Sequence, residues 1–382
     1  MSSFDYSFGI EEEYFVTHAG DASLVAQVPE RVHLRAQKEL GEVVASELLQ
    51  SQIEIASPIF NDADEARRKM RELRSQLNQL LEEDGLCLLA ASTHPMGEWR
   101  DQVVTDKKRY DQLLSDFRIV GERNLVCGMH VHVAVPEGVD RVRLMNRAMP
   151  FLPVFLALST SSPFWNHRVT GLLSYRQAVY DEWPRSGIPD FFENQEDYDG
   201  FIDLLRQVGA IKDGSFVWWA IRPAQRYPTL ELRIADVCTR LEDAVAIATL
   251  YRCLIAALVE NPDLGARRST RTRRVIDENR WRCKRDGINA MLIDESRAQA
   301  LSMREVLEEL IRAARSQSER LGCSQALQQL QAILERGTSA HMQLRIYNEA
   351  RAAGVEVDEA LRQVVRGLIE TTASDHSPAA SS

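Results

Sequence analysis

The sequence predicts an α+β fold in which a sheet presents a polar inner face. Strand-like and helix-like segments mix through the first two thirds of the chain, and the remainder is almost wholly helical in period. Three strand-like runs, far apart in sequence, each place two metal- or phosphate-competent side chains on one face. They are Glu11 with Glu13, His130 with His132, and Glu231 with Arg233. No internal repeat and no linker separates folding units. Residues 1–373 therefore read as one domain with a helical C-terminal part, and residues 374–382 as a disordered tail.

Each element has a local reason. Residues 8–17 read as a strand in which Glu11 and Glu13 alternate against Ile10 and Glu12. In the run from Ser46 to Pro58, Gln50, Gln52 and Glu54 fall on one strand face, between Leu49, Ile53 and Ile55. Glu47 stands at odd spacing from Glu54, so it enters from a turn or bulge before that strand. Residues 62–84 read as a helix with an apolar stripe of Met70, Leu73, Leu77, Leu80 and Leu81. Asp62 with Glu65 caps it, and Gly85 ends it. Residues 86–91 are short and apolar throughout, as a buried strand is. Residues 141–158 are helical in period, with a kink or break implied by Pro150 and Pro153. Residues 216–221 and 230–235 read as two strands joined through Pro223 and Pro228. Thr239 with Glu242 fits a capping box for a helix running to about Asn261, stopped before Pro262. From Ser296 onward the pattern is helical.

Composition bounds the class. The 382 residues are 45% hydrophobic and 27% charged, as expected of a soluble globular protein. A net charge of −10 argues against broad nucleic-acid binding, while leaving room for anions at a local cationic site. No stretch reaches the apolar length of a membrane span, and the first residues lack a basic run followed by an apolar one. The six cysteines form no CxxC, which reads as a reduced, cytoplasmic protein without structural zinc.

Two carboxylates at i and i+2 on a strand repel each other unless a cation neutralises them. Glu11 and Glu13 thus lie either on a solvated edge or at a metal. The polar face of Gln50, Gln52 and Glu54 wants ions, water or a polar substrate. His130 and His132 could be two satisfied histidines. They also resemble the His-x-His of zinc amidohydrolases, but those enzymes need it near the chain start, with more histidine ligands downstream. Carboxylates with an imidazole suit Mg²⁺ or Mn²⁺ better than zinc, and such ions enter with nucleotide phosphates. There is no GxxxxGK[ST] and no GxGxxG, so a nucleotide would be held through metals and arginines. Candidates are Arg176, Arg185 and Arg233. The basic stretch 267–285 reads equally well as a solvated, ion-paired face.

Taken together, these runs resemble the bacterial ATP-dependent carboxylate–amine ligases of the glutamate–cysteine ligase 2 family, relatives of glutamine synthetase. The resemblance rests on Gly9 to Tyr14, Glu47 to Glu54, Cys127 to Val133, and Ser174-Tyr175-Arg176 through Trp183-Pro184 and Gly187-Ile188-Pro189. It extends through Thr229 to Asp236 and Glu278 to Gly287, spanning about residues 8–290 in order. It implies a curved antiparallel sheet flanked by helices, with ATP and substrate on the concave face. It further implies metal ligands at Glu11, Glu13, Glu47, Glu54, His130 and Glu231, for more than one Mg²⁺ or Mn²⁺. Arg233 would meet the transferred phosphoryl group, and Arg176, Arg185 and Arg280, placed by local motif, would contact ATP.

The expected reaction joins the γ-carboxylate of glutamate, or another carboxylate, to cysteine or another amine through an acyl phosphate. A cytoplasmic homodimer acting on small molecules, with no nucleic-acid or membrane partner, is the expected setting. No nucleophilic side chain is required, in line with the absence of a GxSxG motif or triad. Two rivals remain, a guanidino kinase-like phosphotransferase and a non-catalytic nucleotide or amino-acid sensor. A sensor has no need for the full carboxylate set.

Overall fold

A computed structural model describes residues 4–374 of the protein. Seven strands form one open antiparallel sheet: β1 (Phe8–His18), β2 (Val44–Ser46), β3 (Gln52–Ala56), β4 (Leu86–Leu89), β5 (Met129–Ala134), β6 (Ile221–Pro223) and β7 (Thr229–Leu232). Their order is β2-β3-β1-β5-β7-β6, with β4 paired to the distal part of β1. This is the antiparallel sheet flanked by helices that the sequence predicts. β1 is the spine. Its first half pairs with β5, its middle with β3 and its end with β4.

The two faces of β1 differ in chemistry. Phe8, Ile10, Glu12, Tyr14 and Val16 point into the packed side and are buried. Behind them lies α1 (Ala63–Glu82), whose stripe of Met70, Leu73, Leu77, Leu80 and Leu81 is buried as its period requires. Asp62 caps α1 by accepting a hydrogen bond from the Glu65 amide at 2.6 Å, and Gly85 follows with a left-handed φ of 69°. Against α1 packs α2 (Leu241–Glu260), buried on nearly every side.

Several expectations need adjusting. The β3 strand starts at Gln52, because residues 50 and 51 form a turn; the Gln50 amide bonds the Val104 carbonyl. The strand expected at 216–221 is confined to Ile221–Pro223, preceded by a 3₁₀ turn at Gly214–Phe216. Thr239 does not cap α2: its hydroxyl is spent on the Ala90 carbonyl and Ser339, while Glu242 pairs with Arg67 and Arg71. A hairpin, Met291–Asp294 with Gln299–Ser302, precedes the C-terminal helices. The break at Pro150 and Pro153 is present, as Arg141–Ala148 and Leu152–Ser159 flank a 3₁₀ turn. Ser374 ends a helix from Val357, and the rest of the expected tail lies outside the described residues.

Candidate active site

The register of the sheet assembles the site. Residues directly opposite on antiparallel strands share a face. Glu54 of β3 stands opposite Glu13 of β1, Glu11 opposite His130 of β5, His132 opposite Glu231 of β7, and Glu231 opposite Arg222 of β6. One row of charged and imidazole side chains therefore crosses five strands on the inner face. Glu47 joins from the turn after β2, with its carbonyl held by the Thr105 hydroxyl at 2.6 Å.

Two acidic groupings result. The carboxylates of Glu13, Glu47 and Glu54 bring oxygens within 4.8 Å of one another, and Glu11, His132 and Glu231 do the same with their ligand atoms. In the first group, burial and the neighbouring Glu47 push Glu13 up to about 8, against the pull of Arg176. Burial, with Glu47 beside it, also raises Glu54 well above the ordinary range. These carboxyls lack the positive charge that would keep them ionised together, and a divalent cation would supply it.

The second group is partly compensated. Burial would raise Glu231, but Arg233 and Arg222 hold it well below the usual carboxylate range. Arg222 Nε lies 2.6 Å from its Oε2, and Arg233 Nη1 bonds its Oε1. Glu11 is half-buried, which would raise it, yet His130 and His132 pull it down. His132 Nε2 is 3.3 Å from Glu11 Oε1 and 3.9 Å from Glu231 Oε1. His130 stands between the groups, with Nδ1 3.3 Å from Glu11 and Nε2 4.0 Å from Glu13. Burial and Arg233 depress it to about 4, which leaves a neutral imidazole, and its Nε2 has no hydrogen-bond partner among the described residues.

Two neighbouring cavities open along this row. One, of about 260 Å³, is lined by Glu11, Glu13, Glu47, Glu54, His130 and Arg233, and by Tyr110, Tyr180, Trp183 and Trp218. The other, of about 480 Å³, is lined by Glu11, His132, Glu231, Arg222, Arg226, Arg233 and Tyr227. Glu11, Ser215, Arg222 and Arg233 border both. Such an arrangement can hold two reactants against a shared set of carboxylates and guanidinium groups.

The profile of glutamate–cysteine ligase family 2 matches residues 7–367. The chain belongs to this family. A "Putative glutamate–cysteine ligase 2" from Ectopseudomonas mendocina is 42% identical over 369 residues, covering 96% of this chain and 97% of the relative. One of the same name from Rhodospirillum rubrum is 41% identical over 96% of this chain and 95% of its own. Among solved structures, glutamate–cysteine ligase from Francisella tularensis in complex with AMP aligns with a TM-score of 0.71 at 12% identity, covering 99% of this chain and 91% of that one. A bifunctional glutathione synthetase from Pasteurella multocida aligns at 0.68 and 14% identity, covering 96% of this chain and 52% of that one. At that identity the likeness is one of fold.

Within this family member, the three arginines expected to meet nucleotide each contact other parts of the protein. Arg176 is fully buried; it donates to the Ala235 carbonyl at 3.0 Å and lies over the Tyr180 ring. A Cβ on Gly128 would come 2.2 Å from Arg176 Nη2, so only glycine fits where the Gly128 amide reaches Glu13 Oε2 at 2.6 Å. Arg280 is held by Gln177 and Asp181, and Arg185 donates to the Phe216 carbonyl while lying over Trp218. None of the three lines either cavity. Sequence reading passed over Arg222, although a hairpin closing through Pro223 and Pro228 would set it opposite Glu231. It also kept His132 out of the ligand set while parity already aimed it inward. The aromatic wall left no periodic signal.

Proposed function

We propose that this protein is an ATP-dependent carboxylate–amine ligase that activates the γ-carboxylate of glutamate as an acyl phosphate and transfers it to an amine. The observation that carries this reading is the single row of Glu54, Glu13, Glu11, His130, His132 and Glu231, bordered by two cavities that share Arg233. The wider cavity, edged by Arg222 and Arg226, takes the nucleotide, and the narrower one takes glutamate and the amine. The AMP in the Francisella relative and the names of the family members support the same reading.

The donor set fits Mg²⁺ or Mn²⁺. Glu13, Glu47 and Glu54 would hold one ion, and Glu11, Glu231 and an imidazole another. When bound, such ions neutralise charge on the phosphates and on the attacking carboxylate. The protein's own groups do the rest. Arg233 presents a planar cation to the equatorial oxygens as the γ-phosphoryl passes from ATP to the carboxylate oxygen and ADP leaves. Glu231 fixes that guanidinium, and Arg222 fixes Glu231 from the other side. The amine nitrogen then forms a bond to the acyl carbon, the carbon–oxygen bond to phosphate breaks, and the nitrogen's proton ends on phosphate.

The test is isotopic. Glutamate labelled with ¹⁸O in its γ-carboxylate, incubated with ATP, Mg²⁺ and an acceptor, should deliver one label into inorganic phosphate. A guanidino kinase transfers phosphoryl to nitrogen and moves no label. Steady ADP formation with unlabelled phosphate would remove the ligase reading.

A further inference from the structure

We infer that the amine accepted by this enzyme carries an apolar, aromatic-sized body, larger than the side chain of cysteine. The inference rests on the ligase reading and names the substrate class of the same site.

The narrower cavity has two unlike halves. One is the carboxylate row. The other is a wall of Leu48, Tyr110, Leu113, Val126, Trp183 and Trp218. This wall is built to be rigid. Trp183 and Trp218 meet edge-on with ring centroids 5.1 Å apart, and Phe117 backs both at 5.0 and 5.7 Å. Arg185 covers the far side of Trp218 at 5.5 Å. Tyr110 is pinned by its hydroxyl to the Ser46 carbonyl at 3.1 Å. Aromatic surface held in place this way does not collapse to fill the space in front of it.

Occupancy then decides selectivity. A CH₂–SH group covers a small part of such a wall, whereas a phenyl or branched aliphatic body covers most of it. Each methylene that fills an apolar pocket is worth roughly tenfold or more in discrimination. No cysteine, histidine or metal-ligand pair on this wall offers a thiol specific recognition.

The experiment uses the full chain with ATP, Mg²⁺ and glutamate. Hydroxylamine, small enough for any acceptor site, reports the ligase step as hydroxamate. Cysteine, alanine, phenylalanine and 2-phenylethylamine report selectivity, with amide products quantified by mass spectrometry. At least one of the two aromatic amines should exceed cysteine in kcat/KM by about tenfold or more. If hydroxylamine gives hydroxamate and cysteine is used as well as or better than both aromatic amines, the inference is overturned and the ligase reading stands. No hydroxamate and no ADP release with any acceptor would sink both. Trp218→Ala and Trp183→Ala should each lower the ratio of aromatic-amine to hydroxylamine kcat/KM by about tenfold. Equal losses for both acceptors, in variants whose circular dichroism matches the parent, would reduce the wall to a structural role and overturn the inference.

Discussion

Glu12 and Arg74 are both fully buried, and two hydrogen bonds of 2.6 and 3.0 Å join them on the face of β1 opposite Glu11 and Glu13. The Tyr14 hydroxyl also donates to Glu12, and Arg74 goes on to the carbonyls of Cys238 and Thr239. Three consecutive glutamates thus do two jobs. The middle one bolts the strand to α1 and to the chain entering α2, while its neighbours line the cavity on the other face.

That pair gives a stability prediction. Arg74→Met leaves Glu12 as a buried, uncompensated charge and should cost about 3–5 kcal/mol in denaturant unfolding. Glu12→Leu combined with Arg74→Met should recover part of the loss, because no buried charge then remains and only the Tyr14 hydroxyl and two backbone carbonyls lose a partner. A double variant no more stable than Arg74→Met alone would show that the ion pair is not what the single change breaks.

Glu54→Gln separates repulsion from function. Removing one of three crowded carboxyls should leave the metal-free protein melting at or above the parent temperature. The rise in melting temperature that Mn²⁺ gives the parent should shrink markedly. ADP release should fall by more than ~100-fold, beyond what loss of an outer-sphere partner costs. An unchanged response to Mn²⁺ would exclude Glu54 as a ligand.

Arg233→Lys keeps the charge but loses the fork that can meet two phosphoryl oxygens while bonding Glu231. Turnover should drop about 100-fold, as with loss of a transition-state donor. The KM for ATP should change far less. Parallel changes in both would place Arg233 in ground-state binding.

Asp236 supplies a pH test away from the carboxylate row. It is fully buried and accepts hydrogen bonds from the Ser161 amide and from the hydroxyls of Ser162 and Ser174. Burial raises its pKa despite Arg176 and these donors. The folded state therefore holds the proton to higher pH than the unfolded chain does. The stabilisation from this group is full below the ordinary aspartate value and is lost as pH rises through the raised one. Asp236→Asn has no such titration. The stability of the parent relative to Asp236→Asn should fall as pH rises above about 4. A difference that is flat, or that grows with pH, contradicts the raised value.

The legible part of the site was strand parity. Two-residue alternation aims Glu11, Glu13, His130, His132, Glu231 and Arg233 inward before any pairing is known, and odd spacing puts Glu47 in a turn. The stripe of α1, the Asp62 cap and the proline break after Ala148 were legible for the same reason, since each depends on neighbours within a few residues. Arg74 escaped notice because it sits in that stripe as an arginine. Its burial requires Glu12, 62 positions away.

The sequence by itself determined the family, the antiparallel α+β class and the face on which the charges gather. Only the tertiary structure decided which charges meet. Register set Glu13 against Glu54 and Glu231 against both His132 and Arg222, through backbone hydrogen bonds between segments remote in the chain. It set Arg176 and Arg185 against backbone carbonyls and Arg280 against Asp181, and it drew Trp183 and Trp218 into one wall. A side chain's direction is a local property of the backbone, whereas its partner depends on how distant segments pack.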